Sequence, residues 1–217
     1  MKTDALIDSL VRDAGPVKPL QPPLRRIWGW LALALGFAGA MVWAIGPRPD
    51  LAERLFEARF VLEQGAALLT AIAAALAALA LTVPDAPRFW RWVPALPAAA
   101  WLGTLGLGCL RDWAQMGPAG LRVTPDPECF VYITLIGSLP LLALVLMLRK
   151  GAPMRPSWTL ALAALAAAAI GNFALRLFHM QDAALMVLVW QFGAVALITA
   201  IAGLCGRSVL RWPGMPA

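Results

Sequence analysis

Six long apolar runs, separated by short polar and proline-containing stretches, set the pattern of this chain. They cover about Ile27 to Ile45, Phe60 to Val83, Trp92 to Leu110, Cys129 to Leu148, Ser157 to Leu177 and Ala184 to Cys205. A helix rising about 1.5 Å per residue needs roughly 20 apolar residues to cross the hydrocarbon core of a bilayer, so each run predicts one membrane-spanning helix. The fourth is the clearest. Asp126, Glu128 and Cys129 precede it, Phe130 to Leu148 carry no formal charge, and Arg149, Lys150 and Arg155 follow around Gly151 and two prolines. Basic residues collect on the cytoplasmic side of membrane helices, which puts Cys129 at the outer end and Arg149 at the inner end.

The first 26 residues are too polar to span. The first apolar run is too long and too far into the chain for a cleaved signal peptide, so it predicts an uncleaved membrane helix. Ahead of it, Thr3 is a good N-cap for a short helix through about Ala14, with Asp4 near the positive end of the helix dipole. At about 100° per residue, Leu6, Ile7, Leu10, Val11 and Ala14 fall on one face and Asp4, Ala5, Asp8, Ser9, Arg12 and Asp13 on the other. Helices that lie on membranes carry Lys and Arg on the polar face, whereas this one has three aspartates against Arg12, which favours the groove of a protein partner over a lipid surface. Gly15 to Leu24 holds four prolines. At about 3.1 Å per residue such a stretch is a semi-rigid tether reaching roughly 30 Å.

Composition agrees with the pattern: 61% of residues are hydrophobic, 14% charged, and the mean hydropathy is +0.74. That is a polytopic all-α membrane protein, and the net charge of +6 then reads as topology. With the N-terminus inside, twelve of the 18 basic residues fall on cytoplasmic segments, among them Lys2, Arg12, Lys18, Arg25, Arg26, Arg88, Arg91, Arg149, Lys150, Arg155, Arg207 and Arg211. Arg48, Arg54, Arg59, Arg111, Arg122 and Arg176 fall outside. This predicts an N-in, C-in bundle of six helices: residues 1–26 as a cytoplasmic partner-binding region, 27–210 as the transmembrane domain and 211–217 as a cytoplasmic tail. Alanine-rich stretches at Ala73 to Ala80 and Ala161 to Ala169 permit close helix packing. Most of the ten tryptophans fall near the segment ends, as interfacial aromatics do.

Candidate chemistry collects on the outer side. Cys109 ends the third helix, Cys129 starts the fourth, and the single histidine, His179, lies with Asp182 in the loop before the sixth; Cys205 stands alone near the inner face. Sulfur, imidazole and carboxylate at one surface form either a site for a soft or borderline metal such as Zn, Cd or Cu(I), with Cys129 and His179 as ligands, or an oxidisable thiol site. Each also has a plain structural reading: a small apolar filler for the cysteines, an interfacial polar residue for the histidine. Glu63, Gln64, Asn172, Arg176 and Gln191 are polar within or beside spans, where helix-to-helix bonding or an ion path are the two roles open to them. There is no GxSxG, HExxH or phosphate-binding glycine loop, and no CxxC spacing, so no enzyme is expected.

Particular stretches carry a resemblance. The opening MKTDALIDSL with its proline-spaced tether and basic pair, the ECF of Glu128 to Phe130, the LIGSLPLL of Leu135 to Leu142 and the RKGAPMRP of Arg149 to Pro156 resemble the NrsF-like (DUF1109) family of six-helix inner-membrane anti-sigma factors. The resemblance implies that the N-terminal segment, with Leu6, Ile7, Leu10 and Val11 as its contact face, sequesters an extracytoplasmic-function sigma factor. It also implies that a periplasmic cysteine pair, one member matching Cys129, relays oxidative or heavy-metal stress. The family's second cysteine falls in the outer loop before the sixth helix, where this chain has His179. Either Cys129 pairs with Cys109, or Cys129 and His179 act as soft-metal ligands, or the sensing function has changed. The partners so implied are the sigma factor and membrane lipid, with no direct nucleic-acid contact and no small-molecule substrate. From the residues alone, a small transporter or channel using Glu63, Asn172, Arg176 and Gln191, or a structural membrane subunit, remain the other readings.

Overall fold

The computed structural model describes residues 3–13 and 20–210. Most of the tether expected at Gly15 to Leu24, and the tail expected at 211–217, lie outside the described residues. Everything described is helix, turn or loop, with no strand among the described residues.

The N-terminal helix α1 spans Thr3–Asp13, with Asp4 in its first turn and Arg12 in its last, both favourable to the helix dipole. None of its residues is buried. The next helix, α2, runs Pro23–Ile45 and opens on a proline, whose missing N–H would be unpaired in the first turn in any case. It stops at Gly46, where φ is 97°, a left-handed conformation that a side chain would disfavour. A short helix α3, Leu51–Arg54, leads into α4, Ala58–Ala80. A 3-10 turn over Arg88–Trp92 precedes α5, Ala95–Met116, which ends at Gly117 with φ of 60°. Then follow α6, Pro127–Leu148, and α7, Pro156–Leu175, each again with proline in the first turn. The last span is composite: α8, Ala184–Met186, a π-helical turn over Val187–Phe192, and α9, Gly193–Val209. Six helical stretches are long and apolar enough to cross a membrane, one for each apolar run.

Two boundaries depart from the pattern in an informative way. The third apolar run ends at Leu110, yet α5 continues six residues past it and carries Arg111 and Asp112 inside the helix. The Asp112 carboxylate accepts the backbone N–H of Ala184 at 3.0 Å and lies 3.5 Å from Arg59, so its charge is answered by tertiary partners that the local sequence does not show. The sixth run contains a π turn, a widened ring that hydropathy cannot register.

The central element is α7, packed against α4, α6 and α9. Its small residues allow this: Ala163, Ala164, Ala166, Ala168 and Ala169 are all buried. A Cβ on Gly171 would stand 2.5 Å from the Ile133 carbonyl oxygen of α6, and one on Gly206 of α9 would stand 2.5 Å from the Ser157 Cα of α7. In lipid, where apolar surface gives little drive to associate, such close backbone approach supplies the packing. Pro140 interrupts the hydrogen-bond ladder of α6, and its carbonyl accepts the buried Trp30 indole N–H of α2 at 2.9 Å.

The spans run up and down, so two groups of ends are distinguished. At one, Arg26 at the start of α2 donates to the Met147 carbonyl near the end of α6, and Arg149 donates to the Val209 carbonyl at the end of α9. The start of α2 and the end of α9 therefore share an end. At the other, the end of α2, the starts of α4, α6 and α8, and the ends of α5 and α7 meet.

Candidate functional site

The second end holds nearly all the candidate chemistry. Proline at the first position of α6 fixes Asp126 at its N-cap and Cys129 in its first turn, three residues apart and so on one face. The segment after α7 brings the third member. Leu177 and Phe178 close a turn back onto α7, and the His179 backbone N–H reaches the Leu175 carbonyl at 2.8 Å. The Phe178 ring packs edge-on against Tyr132 of α6, centroids 5.2 Å apart.

These constraints place His179 Nε2 2.9 Å from Asp126 Oδ2, and the Cys129 thiol donates to the same oxygen at 3.2 Å. One ligand-type atom from each of the three residues lies within 4.8 Å of the others. Cys129 is fully buried, while the His179 and Asp126 side chains keep 21% and 14% of their surface, which leaves the group reachable from one side. Burial alone would raise the Asp126 pKa, but the hydrogen bonds with His179 and Cys129 outweigh it and hold the carboxyl below its ordinary range. The buried Gln191 amide, on the π turn, stands beside the Cys129 thiol, yet both its nitrogen and its oxygen lack a hydrogen-bond partner.

Next to this group lies a network of ion pairs. Arg48, its side chain 1% exposed, is gripped by two carboxylates: it donates to both oxygens of Asp50 at 2.7 and 2.9 Å and to both oxygens of Asp182 at 3.0 and 2.6 Å. It also donates to the His179 carbonyl at 3.5 Å. Arg54 pairs with Asp50, Glu57 and Asp182. Arg176 bonds Glu63 at 3.0 Å and Asp182 at 3.3 Å, and donates to the Gln181 carbonyl. Arg59 extends the chain of contacts from Glu63 to Asp112.

Among the residues singled out in the sequence, Cys129 and His179 are thus brought together, through Asp126. Cys109 is not part of that group: the charges acting on it are those of Asp112, Arg59 and Glu63. Cys205 is exposed near the opposite end, and the three cysteines are all free. Glu63 and Arg176 join α4 to the end of α7, and Gln64 donates to the Phe173 carbonyl at 3.0 Å, both helix-to-helix bonds. Leu6, Ile7, Leu10 and Val11 are exposed on α1. The sequence places Asp126 among the outer carboxylates beside Asp112 and Glu128, and its spacing of three from Cys129 behind a helix-opening proline is what singles it out as the bridging group. Arg48 has one partner two residues away, Asp50, but its grip on Asp182 had no local signal, since that carboxylate lies 134 residues away.

Six helices long and apolar enough to cross a membrane, a charged cluster at one end and a helical N-terminal segment are the setting for the comparisons. No curated protein and no solved structure matches the chain. The family model NrsF, described as Negative regulator of sigma F, matches residues 10–212, from within α1 to past the end of α9. The chain therefore belongs to the NrsF family of negative regulators of sigma F.

Proposed function

We propose that this membrane protein is an anti-sigma factor of the bacterial inner membrane. In this reading it sequesters an extracytoplasmic-function sigma factor through α1 and releases it when the far end of the bundle meets periplasmic oxidative or heavy-metal stress. Membership of a family of negative regulators of a sigma factor supports the anti-sigma role and fits a regulator more readily than a catalyst.

The observation that carries the finer reading is the open apolar face of α1. Leu6, Ile7, Leu10 and Val11 are 43%, 52%, 61% and 68% exposed, on a helix that buries nothing. A helix with apolar residues at this spacing fits a hydrophobic groove on another protein. Asp4, Asp8 and Asp13 on its polar side favour a basic groove over an anionic lipid surface. The excess of basic residues near the start of α2 and the ends of α6 and α9 supports a cytoplasmic location for that end, and in this reading α1 works inside and the Asp126, Cys129 and His179 group outside. Cys129 and His179, with Asp126, are the sensing group; Cys109 stands apart from it, beside the ion-pair network.

Input and output are then joined by the helices. A signal at the outer group shifts the balance between two packings of the bundle only by its difference in affinity for the two, and the favoured packing alters how α1 is presented. The test is retention of partner proteins by full-length protein purified in detergent, wild type beside a Leu6→Asp, Leu10→Asp double variant, with mass spectrometry of what is retained. A sigma factor held by wild type and lost by the variant is the expected result. Retention by both removes α1 from the interface, and retention by neither removes the anti-sigma reading.

A further inference from the structure

The geometry points to a binding site for one divalent cation of the zinc and cadmium class, held by Asp126 Oδ2, Cys129 Sγ and His179 Nε2, with the buried Gln191 amide beside the fourth position. Tetrahedral coordination at about 2.0 to 2.3 Å per bond sets ligand atoms roughly 3.5 Å apart. Here the thiol and carboxylate stand 3.2 Å apart, the imidazole and carboxylate 2.9 Å, and all three atoms lie within 4.8 Å. Small side-chain adjustments open the space for an ion.

The donor set selects the cation. Magnesium and calcium take oxygen ligands, whereas one sulfur, one imidazole nitrogen and one carboxylate oxygen suit a borderline or soft ion. Charge agrees with this. On binding, the thiol proton leaves to solvent and the imidazole keeps its N–H on Nδ1, so a thiolate and a carboxylate face a doubly positive ion in a mostly buried site and the sum is zero. Gln191 supplies a second, independent indication. It is 0% exposed and both amide atoms lack partners, a costly arrangement that a bound ion or its remaining ligand would relieve. The π turn that carries it is the kind of local irregularity found at ligand sites.

The three ligands come from the first turn of α6 and the loop after α7, and Gln191 from the last span. A bound ion would fasten these elements to one another and, through the His179 carbonyl and Arg48, to the ion-pair network. The consequence for the sigma factor rests on the reading above; the binding does not.

The experiment uses full-length protein in detergent with Cys109→Ser and Cys205→Ser, so that Cys129 is the one remaining thiol. Cadmium is titrated while the ultraviolet thiolate-to-cadmium charge-transfer band is recorded. One equivalent per chain with that band is expected, lost on adding Cys129→Ser. Asp126→Asn and His179→Gln should each weaken binding at least about tenfold, the scale seen when metal-site groups are removed. A cadmium-dependent rise in the thermal unfolding midpoint of the two-serine protein, absent after Cys129→Ser, is the companion readout and shows that each variant is folded. No band, or a band of unchanged affinity in both Asp126→Asn and His179→Gln, overturns the site, since a lone thiol would then suffice. Sigma-factor retention on the same samples separates the two ideas: cadmium bound without release of the partner keeps the site and sinks its regulatory role.

Discussion

The two ends of the bundle handle charge in opposite ways. At the end that gathers α3 and the starts of α4, α6 and α8, nine ionised side chains form one unbroken series of pairs from Glu57 through Arg54, Asp50, Arg48, Asp182, Arg176, Glu63 and Arg59 to Asp112. Every salt bridge among the described residues lies at that end. At the opposite end, Arg26 donates to the Thr82 hydroxyl and the Met147 carbonyl, Arg149 donates to the Val209 carbonyl, and Arg25, Arg88, Lys150, Arg155 and Arg207 are exposed. Arg48, Glu63, Asp112 and Arg176 are the buried members of the series, and because buried charges must satisfy one another or the fold loses several kcal/mol, these four tie the first end together. The exposed cations of the second fit a role in orienting the helices in the membrane. The proposed relay, from a signal at one end to a helix presented at the other, is served by this division.

The largest expected effect comes from breaking the first end at its most buried cation. Arg176, its side chain 4% exposed, pairs with Glu63, Asp182 and the Gln181 carbonyl. Arg176→Met should cost about 3 kcal/mol, the low end for a broken buried pair because Arg59 still answers Glu63. Thermal unfolding in detergent reads this as a clear fall in midpoint. Arg176→Lys should recover only part of it, since an ammonium cannot reproduce the fork that spans two carboxylates. A loss below about 1 kcal/mol would mean that the network is solvated, and the contrast between the ends would fail.

A smaller loss is expected at Gly171, where the added methyl of Gly171→Ala meets the Ile133 carbonyl oxygen at 2.5 Å. Forcing α6 from α7 should cost about 2 kcal/mol. Because the contact lies one turn from Cys129 on α6, the same variant should weaken the approach of Cys129 to His179. A cysteine-reactive probe should then label Cys129 faster than in wild type, with both other cysteines replaced by serine. Unchanged labelling would show that the Asp126, Cys129 and His179 group is held by its loop and not by helix packing.

What the sequence made legible follows from where each signal resides. The six spans are written in local composition, since hydropathy over about 20 residues is a property of the run itself. The gathering of Cys129 and His179 at one end follows from counting spans. Asp126 as their bridge was readable at short range, from Pro127 and the spacing to Cys129. The Arg48 to Asp182 grip, the Arg59 to Asp112 contact and the extension of α5 through Asp112 were not, because each depends on residues far apart in sequence that only the packed helices bring together. The π turn around Gln191 was illegible for another reason: VLVWQF has the composition of any membrane helix.

Acid provides a third and milder way to separate the ends. Burial would raise the Asp182 pKa, but the bond from Arg48 and the charges of Arg176 and Arg54 outweigh it, so the folded carboxyl titrates below its ordinary value; Asp126 is lowered in the same sense. A depressed carboxyl contributes stability that is complete above the unfolded pKa of about 3.9 and is lost as pH falls through the lower folded value. The unfolding midpoint should therefore hold steady from about pH 7 to 5 and drop below about pH 4. Asp182→Asn should lower the neutral midpoint and flatten that acid limb. An acid limb unchanged in Asp182→Asn would assign the sensitivity elsewhere.

The smallest effect should come from the opposite end. The Arg149 side chain is exposed, and its Nε and one terminal nitrogen both reach the Val209 carbonyl, at 3.1 and 3.0 Å. Because the side chain that makes this contact is exposed, Arg149→Ala exchanges a protein donor for solvent and should change stability by no more than about 0.5 kcal/mol. Its acid limb should match wild type, because no carboxylate pairs with it. If the variant instead loses as much as Arg176→Met, this end is held as tightly as the one that carries the salt bridges. The proposed coupling, which needs one firm end and one that yields, would then lose its physical basis.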